Sequence, residues 1–330
     1  MNNVAKNYSI DLIKIISMLW IVGFWHLMSY GKGLEPKNLK YAPEITHAVM
    51  GVFMFYGAYF LSKYKVDSFS DICYFYKRRF SRFYFLYLLS IVTLYMGGLF
   101  TVKPWFKSTE QLILTIFGLS SFSHPNVETL WFMSMLMLFY VITHIILMGH
   151  IYRRCFISIG FLMFLIGYKL LFTEQLDSRI YMKYILFVCG LLVSHKGFER
   201  FCRSLYALFL GGGLFFVISD LWSPVDIIPT LLHRTLYTFG FLLLLSYFCF
   251  KINPQHSKAL NFLSYVVLSV YLFHRQVYQF LTLVIQKVLD MQVDIVGLYV
   301  IFLPTAIIVA FIVQKLYDKL YNKINTKSIQ

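Results

Sequence analysis

Long apolar runs dominate this chain and restrict its fold more than any other feature. A crossing helix needs roughly 20 apolar residues. Ten stretches approach that length, at about residues 10–30, 45–62, 83–100, 130–148, 156–173, 181–195, 205–222, 230–250, 261–286 and 295–317. Inside hydrocarbon every backbone N–H and C=O needs an internal partner, so these stretches must be helices. The expected fold is an all-α integral membrane protein with about ten transmembrane helices. Composition agrees: the 330 residues are 59% hydrophobic and only 14% charged, against about 25% charged in soluble domains. The first run is long and lacks a small-residue cleavage site, so it reads as a retained span. Residues 1–330 therefore read as one polytopic domain with no fused soluble domain. Span 181–195 is short, and 261–286 is long enough to tilt or break. The stretch QLILTIFGLSS (111–121) is too short to cross, so it lies at the interface or re-enters.

Charge sets the orientation. The formal charge of +15 has no basic–aromatic pattern that requires nucleic acid. It follows instead the excess of Lys and Arg in cytoplasmic loops. One set of loops holds Lys63, Lys65, Lys77, Arg78, Arg79, Arg82, Arg153, Arg154, Lys196, Arg200, Arg203, Lys251 and Lys258. The C-terminal tail adds Lys315, Lys319, Lys323 and Lys327. The opposite loops hold only Lys32, Lys37, Lys40, Lys103, Lys107, Arg179 and Lys287. Both termini are thus expected in the cytoplasm. Cys73, Cys155, Cys189, Cys202 and Cys249 all fall on that reducing side, and none has the spacing of a zinc site or a disulfide framework. No internal repeat suggests a transporter of inverted halves.

Ionisable residues interrupt the first span, YSIDLIKIISMLWIVGFWH. Asp11 and Lys14, at i and i+3, share a helix face. His26 lies twelve residues beyond Lys14, about 18 Å along the axis, in the outer half of the bilayer. A polar group at that depth faces protein or a watery cavity. Histidine, with an unperturbed pKa near neutrality, suits general-base work. The alternative is a structural bond to a neighbouring helix. Lys14 either binds a ligand or snorkels to the cytoplasmic surface.

Five segments in order resemble the membrane-bound acyltransferase-3 family. IDLIKIISMLWIVGFWH is similar to its opening, where an Asp, a basic residue and a His punctuate the first span. GVFMFYGAYFLS (51–62) resembles the second span, with Gly57-Ala58 for the usual Ser-Gly. YKRRFSRFYFLYLL (76–89) resembles its paired-arginine segment, with Arg79 and Arg82 present and a proline absent. ETLWFMSMLMLFY (128–140) resembles its Trp-to-Tyr segment, with Trp131 and Tyr140, and with Leu136 where some members have Glu. LSVYLFHRQVY (268–278) resembles its late histidine segment, with His274. The family usually separates the basic residue from the His by eleven positions, and here the separation is twelve. Eleven steps return to within about 20° of one face, while twelve land about 120° away. Either a π-bulge absorbs the extra residue, or Lys14 does not face the channel that His26 lines.

The resemblance implies transfer of an acyl group, commonly acetyl, from cytoplasmic acyl-CoA to a sugar hydroxyl. The acceptor is an extracytoplasmic glycan or its lipid-linked precursor. Acyl-CoA is then a donor substrate, with no permanently bound cofactor and no metal. His26 is the expected catalytic base or acyl-accepting nucleophile. Arg79 and Arg82, with Lys14, are candidates for the CoA phosphates, set against plain obedience to the positive-inside rule. Trp131 packs on the acceptor or acyl group, or belongs to an interfacial aromatic belt. Glu128 binds acceptor hydroxyls or orients His26, or is a solvated loop charge. His274 and Arg275 line the channel or form a buried knot. His233 and Arg234 are weaker candidates. Competing classes are a transporter and a glycan flippase or polymerase. The outside loop, with two lysines and no arginine, disfavours a polymerase. Partners other than donor, acceptor and membrane lipids are not implied, and a homodimer stays open. Composition suggests a bacterial inner membrane.

Overall fold

The apolar runs fold as helices whose caps stand in the sequence beside them. The computed structural model describes residues 7–31, 39, 42–63, 68–99, 105–122, 127, 129–172, 179–193, 227–288, 290 and 294–327. Asn7 accepts from the Ile10 amide and starts α1 (Tyr8–Met18), with Asp11 in the first turn, where a carboxylate complements the helix dipole. The span continues as a π-helix, Leu19–His26, and ends in a 3₁₀ turn, Leu27–Tyr30. Next come α2 (Ala42–Leu61), α3 (Phe69–Leu99), the short α4 (Thr109–Ile116), α5 (Leu130–Leu147), α6 (Ile151–Leu171), α7 (Arg179–Val193) and α8 (Ile227–Ile252). Ser257 caps α9 (Lys258–Leu283), which passes into a π segment, Val284–Val288. A second π segment, Leu298–Phe302, leads into α10 (Leu303–Lys327).

Among the described residues, six helices are long and apolar enough to cross a membrane, at Tyr8–Tyr30, Ala42–Leu61, Leu130–Leu147, Ile151–Leu171, Arg234–Ile252 and Ile295–Lys323. The chain is a multi-pass membrane protein. The expected spans at 83–100, 181–195 and 261–286 appear as the apolar stretch Phe83–Gly98 of α3, as the 15-residue α7, and as α9. The expected span at 205–222 lies outside the described residues.

Contacts fix the helix directions. Trp20 donates to Thr46 while Lys14 lies over Phe60, so α1 and α2 are antiparallel. Rings of Tyr8 and His256 meet at one end of the α1–α9 pair, and Tyr30 and Tyr278 at the other, so those two are parallel. Lys183 donates to the His47 carbonyl, and Gly190 sits against Phe55, so α7 runs parallel to α2. A Cβ on Gly190 would fall 2.2 Å from the Phe55 carbonyl oxygen, the close approach that small residues permit between membrane helices. Arg234–Glu44 and Ser246–Tyr56 make α8 parallel to α2 as well. Residues 193 and 227 therefore lie at opposite ends of the bundle.

Burial separates centre from rim. In α5, 78% of the apolar window is buried, against 11% in α6, which turns Phe156, Ile159, Met163 and Phe164 outward. Helix α3 has 31 residues, about 46 Å, well beyond the roughly 30 Å hydrocarbon core. Its polar first part, with Arg79 and Arg82, projects past the apolar stretch. Tyr317 donates to the Ser81 carbonyl, and the Tyr321 hydroxyl meets Ser81 Oγ at 3.3 Å, tying this projection to α10.

The stretch 111–121 packs along α3. Phe106 meets Tyr95 near the far end of α3, whereas Tyr84 and Tyr87 donate to the carbonyls of Ile116 and Thr115 at 2.8 and 2.5 Å. Helix α4 thus descends beside α3 and ends at the depth of Tyr84. There the Tyr84 hydroxyl bonds the last carbonyl of the helix, and Tyr87 adds a second donor to the Thr115 carbonyl, which also accepts from the Gly118 amide.

Candidate active site

The π-helix delivers His26 to α9. Bonding from i to i+5 widens the turn, so each residue advances through a smaller angle, and over Leu19–His26 this takes up the extra residue between Lys14 and His26. The Val22 carbonyl in this segment accepts from the Tyr278 hydroxyl at 3.3 Å. His26 Nδ1 lies 2.7 Å from His274 Nε2. The two ring planes are nearly parallel, 6° apart, with 4.8 Å between centroids, so the rings meet edge to edge. His274 is fully buried, and His26 is 9% exposed.

The hydrogen-bond chain assigns the protons. His274 Nδ1 lies 2.8 Å from the Tyr271 carbonyl and 3.1 Å from that of Val270. A carbonyl only accepts, so Nδ1 carries the proton. In a neutral ring Nε2 is then the acceptor, and His26 Nδ1 must donate to it. This leaves the lone pair of His26 on Nε2. A base with one fixed tautomer and one fixed ring direction results, the arrangement that an orienting partner gives a catalytic histidine.

Tyr271 extends the chain to α5. Its hydroxyl donates to the Thr129 carbonyl at 2.8 Å. Thr129 has φ 75° and is 3% exposed, and its hydroxyl is without a hydrogen-bond partner. A β-branched residue at positive φ is an outlier, costing on the order of 1–3 kcal/mol. Tyr271 thus clasps the start of α5 to the helix that carries His274. Sequence reasoning missed Tyr271, although its place three residues before His274 puts its carbonyl within reach of that ring.

The other sequence candidates fall in several places. Lys14 Nζ lies 4.5 Å from the Phe60 ring centroid, and Asp11 is buried in the first turn of α1. Arg79 and Arg82 are on the projecting part of α3, their side chains outside the described residues, as is Glu128. Trp131 is 7% exposed, and the Arg179 guanidinium covers its ring at 3.7 Å. Arg275 lies 5.7 Å from the ring centre of Trp105, whose indole N–H donates to Gln279 at 2.8 Å. Arg234 bridges to Glu44 at 3.0 Å, and the side chain of His233 is outside the described residues. Among the described residues no three His, Cys, Asp or Glu side chains converge as a metal site would require.

No curated protein and no solved structure matches this sequence. A family model described as an acyltransferase domain matches residues 7–315. That match spans nearly the whole chain and takes in both histidines of the buried pair, and by it the protein belongs to the membrane-bound acyltransferase-3 family.

Proposed function

We propose that this membrane acyltransferase is an O-acyltransferase that moves an acetyl group from cytoplasmic acetyl-CoA to a hydroxyl of an extracytoplasmic glycan or its lipid-linked precursor. The observation that carries the reading is the lone pair left on His26 Nε2 by the chain His26–His274–Tyr271. In the reaction Nε2 takes the proton of the acceptor hydroxyl. The oxygen bonds to the thioester carbonyl carbon, the C–S bond breaks, and the proton returns from Nε2 to the departing CoA sulfur. His274 holds the ring and stabilises the imidazolium through its acceptor nitrogen.

The topology in this reading has ten spans, both termini cytoplasmic, in a bacterial inner membrane. Arg79 and Arg82, at i and i+3 on the projecting part of α3, meet the CoA phosphates from the cytoplasm. Lys14 lies near the same boundary. Glu128 and Trp131 stand at the outer mouth.

The test is label transfer from radioactive acetyl-CoA to the surface-glycan fraction, in membranes holding the native chain or His26→Ala at equal level. Label that needs His26 supports the reading, and label that persists in the mutant overturns the assigned base. Succinyl-CoA in a parallel arm tests the acyl group. Label that stays on denatured protein in the absence of acceptor would instead mark His26 as the nucleophile.

A further inference from the structure

Helix α9 carries more polar groups than the histidine pair needs. Arg275, Gln276 and Gln279 lie within five residues after His274 and meet α3 and the segment that leads into α4. Gln276 ties α9 to α3, since its amide donates to the Ser90 carbonyl and to Thr93 Oγ1, both at 3.3 Å. Arg275 and Gln279 stand at i and i+4, on one face, and both meet Trp105.

Trp105 differs from Trp131. The Trp131 ring is 7% exposed and carries a guanidinium at 3.7 Å, so nothing else can stack on that face. Trp105 is only half-buried, and Arg275 lies 5.7 Å from its centre, near the ~6 Å limit of cation–π attraction. Its indole N–H is held by Gln279, and the ring packs against the core on one side while keeping part of its surface exposed. At the neighbouring α9–α3 contact that Gln276 makes, Gln276 Oε1 and Ser90 Oγ are buried without a hydrogen-bond partner. A buried polar atom left so is costly and calls for a matching group. An aromatic ring flanked by a guanidinium and a side-chain amide is suited to a ring with apolar C–H faces and a rim of hydroxyls.

We propose that Trp105, Arg275 and Gln279 form the subsite that holds a sugar ring of the acceptor next to the His26–His274 pair. This rests on the acyl-transfer reading above. The sugar packs on the Trp105 ring, and Arg275 and Gln279 take its hydroxyls. Its reacting hydroxyl then needs to reach only the neighbouring residue's partner, His26.

The test uses the full-length protein in lipid nanodiscs, with mild-alkali-deacylated surface glycan of the producing organism as acceptor and radiolabelled acetyl-CoA as donor. Trp105→Ala should raise the KM for glycan at least about tenfold, with the KM for acetyl-CoA within about twofold. Trp105→Phe, which keeps a ring, should stay within about threefold of the native value. Glycan binding in the absence of acetyl-CoA is measured on the same samples. An unchanged glycan KM in Trp105→Ala, or a shift in the donor KM instead, overturns the subsite. Glycan binding that depends on Trp105, with no transfer by the native chain, keeps the subsite and sinks the acyl-transfer reading. Neither binding nor transfer by the native chain overturns both.

Discussion

Two buried histidine sites in this protein share a residue type and a depth of burial and differ in everything else. At the α1–α9 contact, His26 and His274 are bonded to each other, and the chain ends on two backbone carbonyls. In α5, His144 is 2% exposed, packed between Phe75 and Tyr76 at ring distances of 4.1 and 4.8 Å, with neither ring nitrogen hydrogen-bonded. The first site fixes a tautomer and leaves one lone pair for chemistry. The second fixes neither and behaves as a flat apolar plug. Burial of an ionisable ring is therefore a poor guide to function. What the second nitrogen bonds to is the better one.

Mutations at the two sites should separate them. The largest effect is expected from His26→Ala, with kcat lower by about 10²- to 10⁴-fold, the usual range for loss of a general base. Acetyl transfer at equal protein level measures it, and a drop under tenfold would sink the assignment. His274→Ala should cost about 10- to 100-fold in kcat, as loss of an orienting partner does. His274→Gln, whose amide oxygen can still accept from His26 Nδ1, should recover part of that. If Gln and Ala are equally impaired, His274 acts by packing rather than by holding a tautomer. Tyr271→Phe removes the bond to the Thr129 carbonyl. It should lower stability by about 1–3 kcal/mol and activity only a few-fold, read from thermal unfolding and from transfer rates. The smallest effect belongs to His144→Phe. Activity should be unchanged, and the unfolding temperature equal or higher, because removing an unpaired buried polar group is neutral or favourable. Loss of activity there would erase the contrast.

Much of the fold was legible in the apolar runs, because run length and helix length are the same quantity in a bilayer. The stretch 111–121 could be placed as non-crossing for the same reason, but its depth depended on Tyr84 and Tyr87 supplying hydroxyls to its last carbonyls. His26 was legible as an isolated ionisable group in an apolar helix, and His274 as the late histidine of the family resemblance. Their pairing was not, since 248 positions separate the two and no local pattern spans that gap. The difference between Trp131 and Trp105 was not legible either. Each is a tryptophan close to a helix end in the sequence, and only the guanidinium at 3.7 Å over one and 5.7 Å over the other tells them apart. The twelve-residue interval from Lys14 to His26 left two answers open, and the conformation of residues 19–26 supplies the extra residue's place.

That π segment also makes the first span tolerant of one particular change in length. Deleting Gly23 would let residues 19–26 rewind with ordinary α bonding, and the angular relation of His26 to Asp11 and Lys14 would survive. The same deletion placed in α1 proper, between Tyr8 and Met18, would swing everything before it by about 100°. The loose turn thus works as a slack link, and the bearing of the His26 ring is robust to a one-residue deletion at one address and fragile to it at the next.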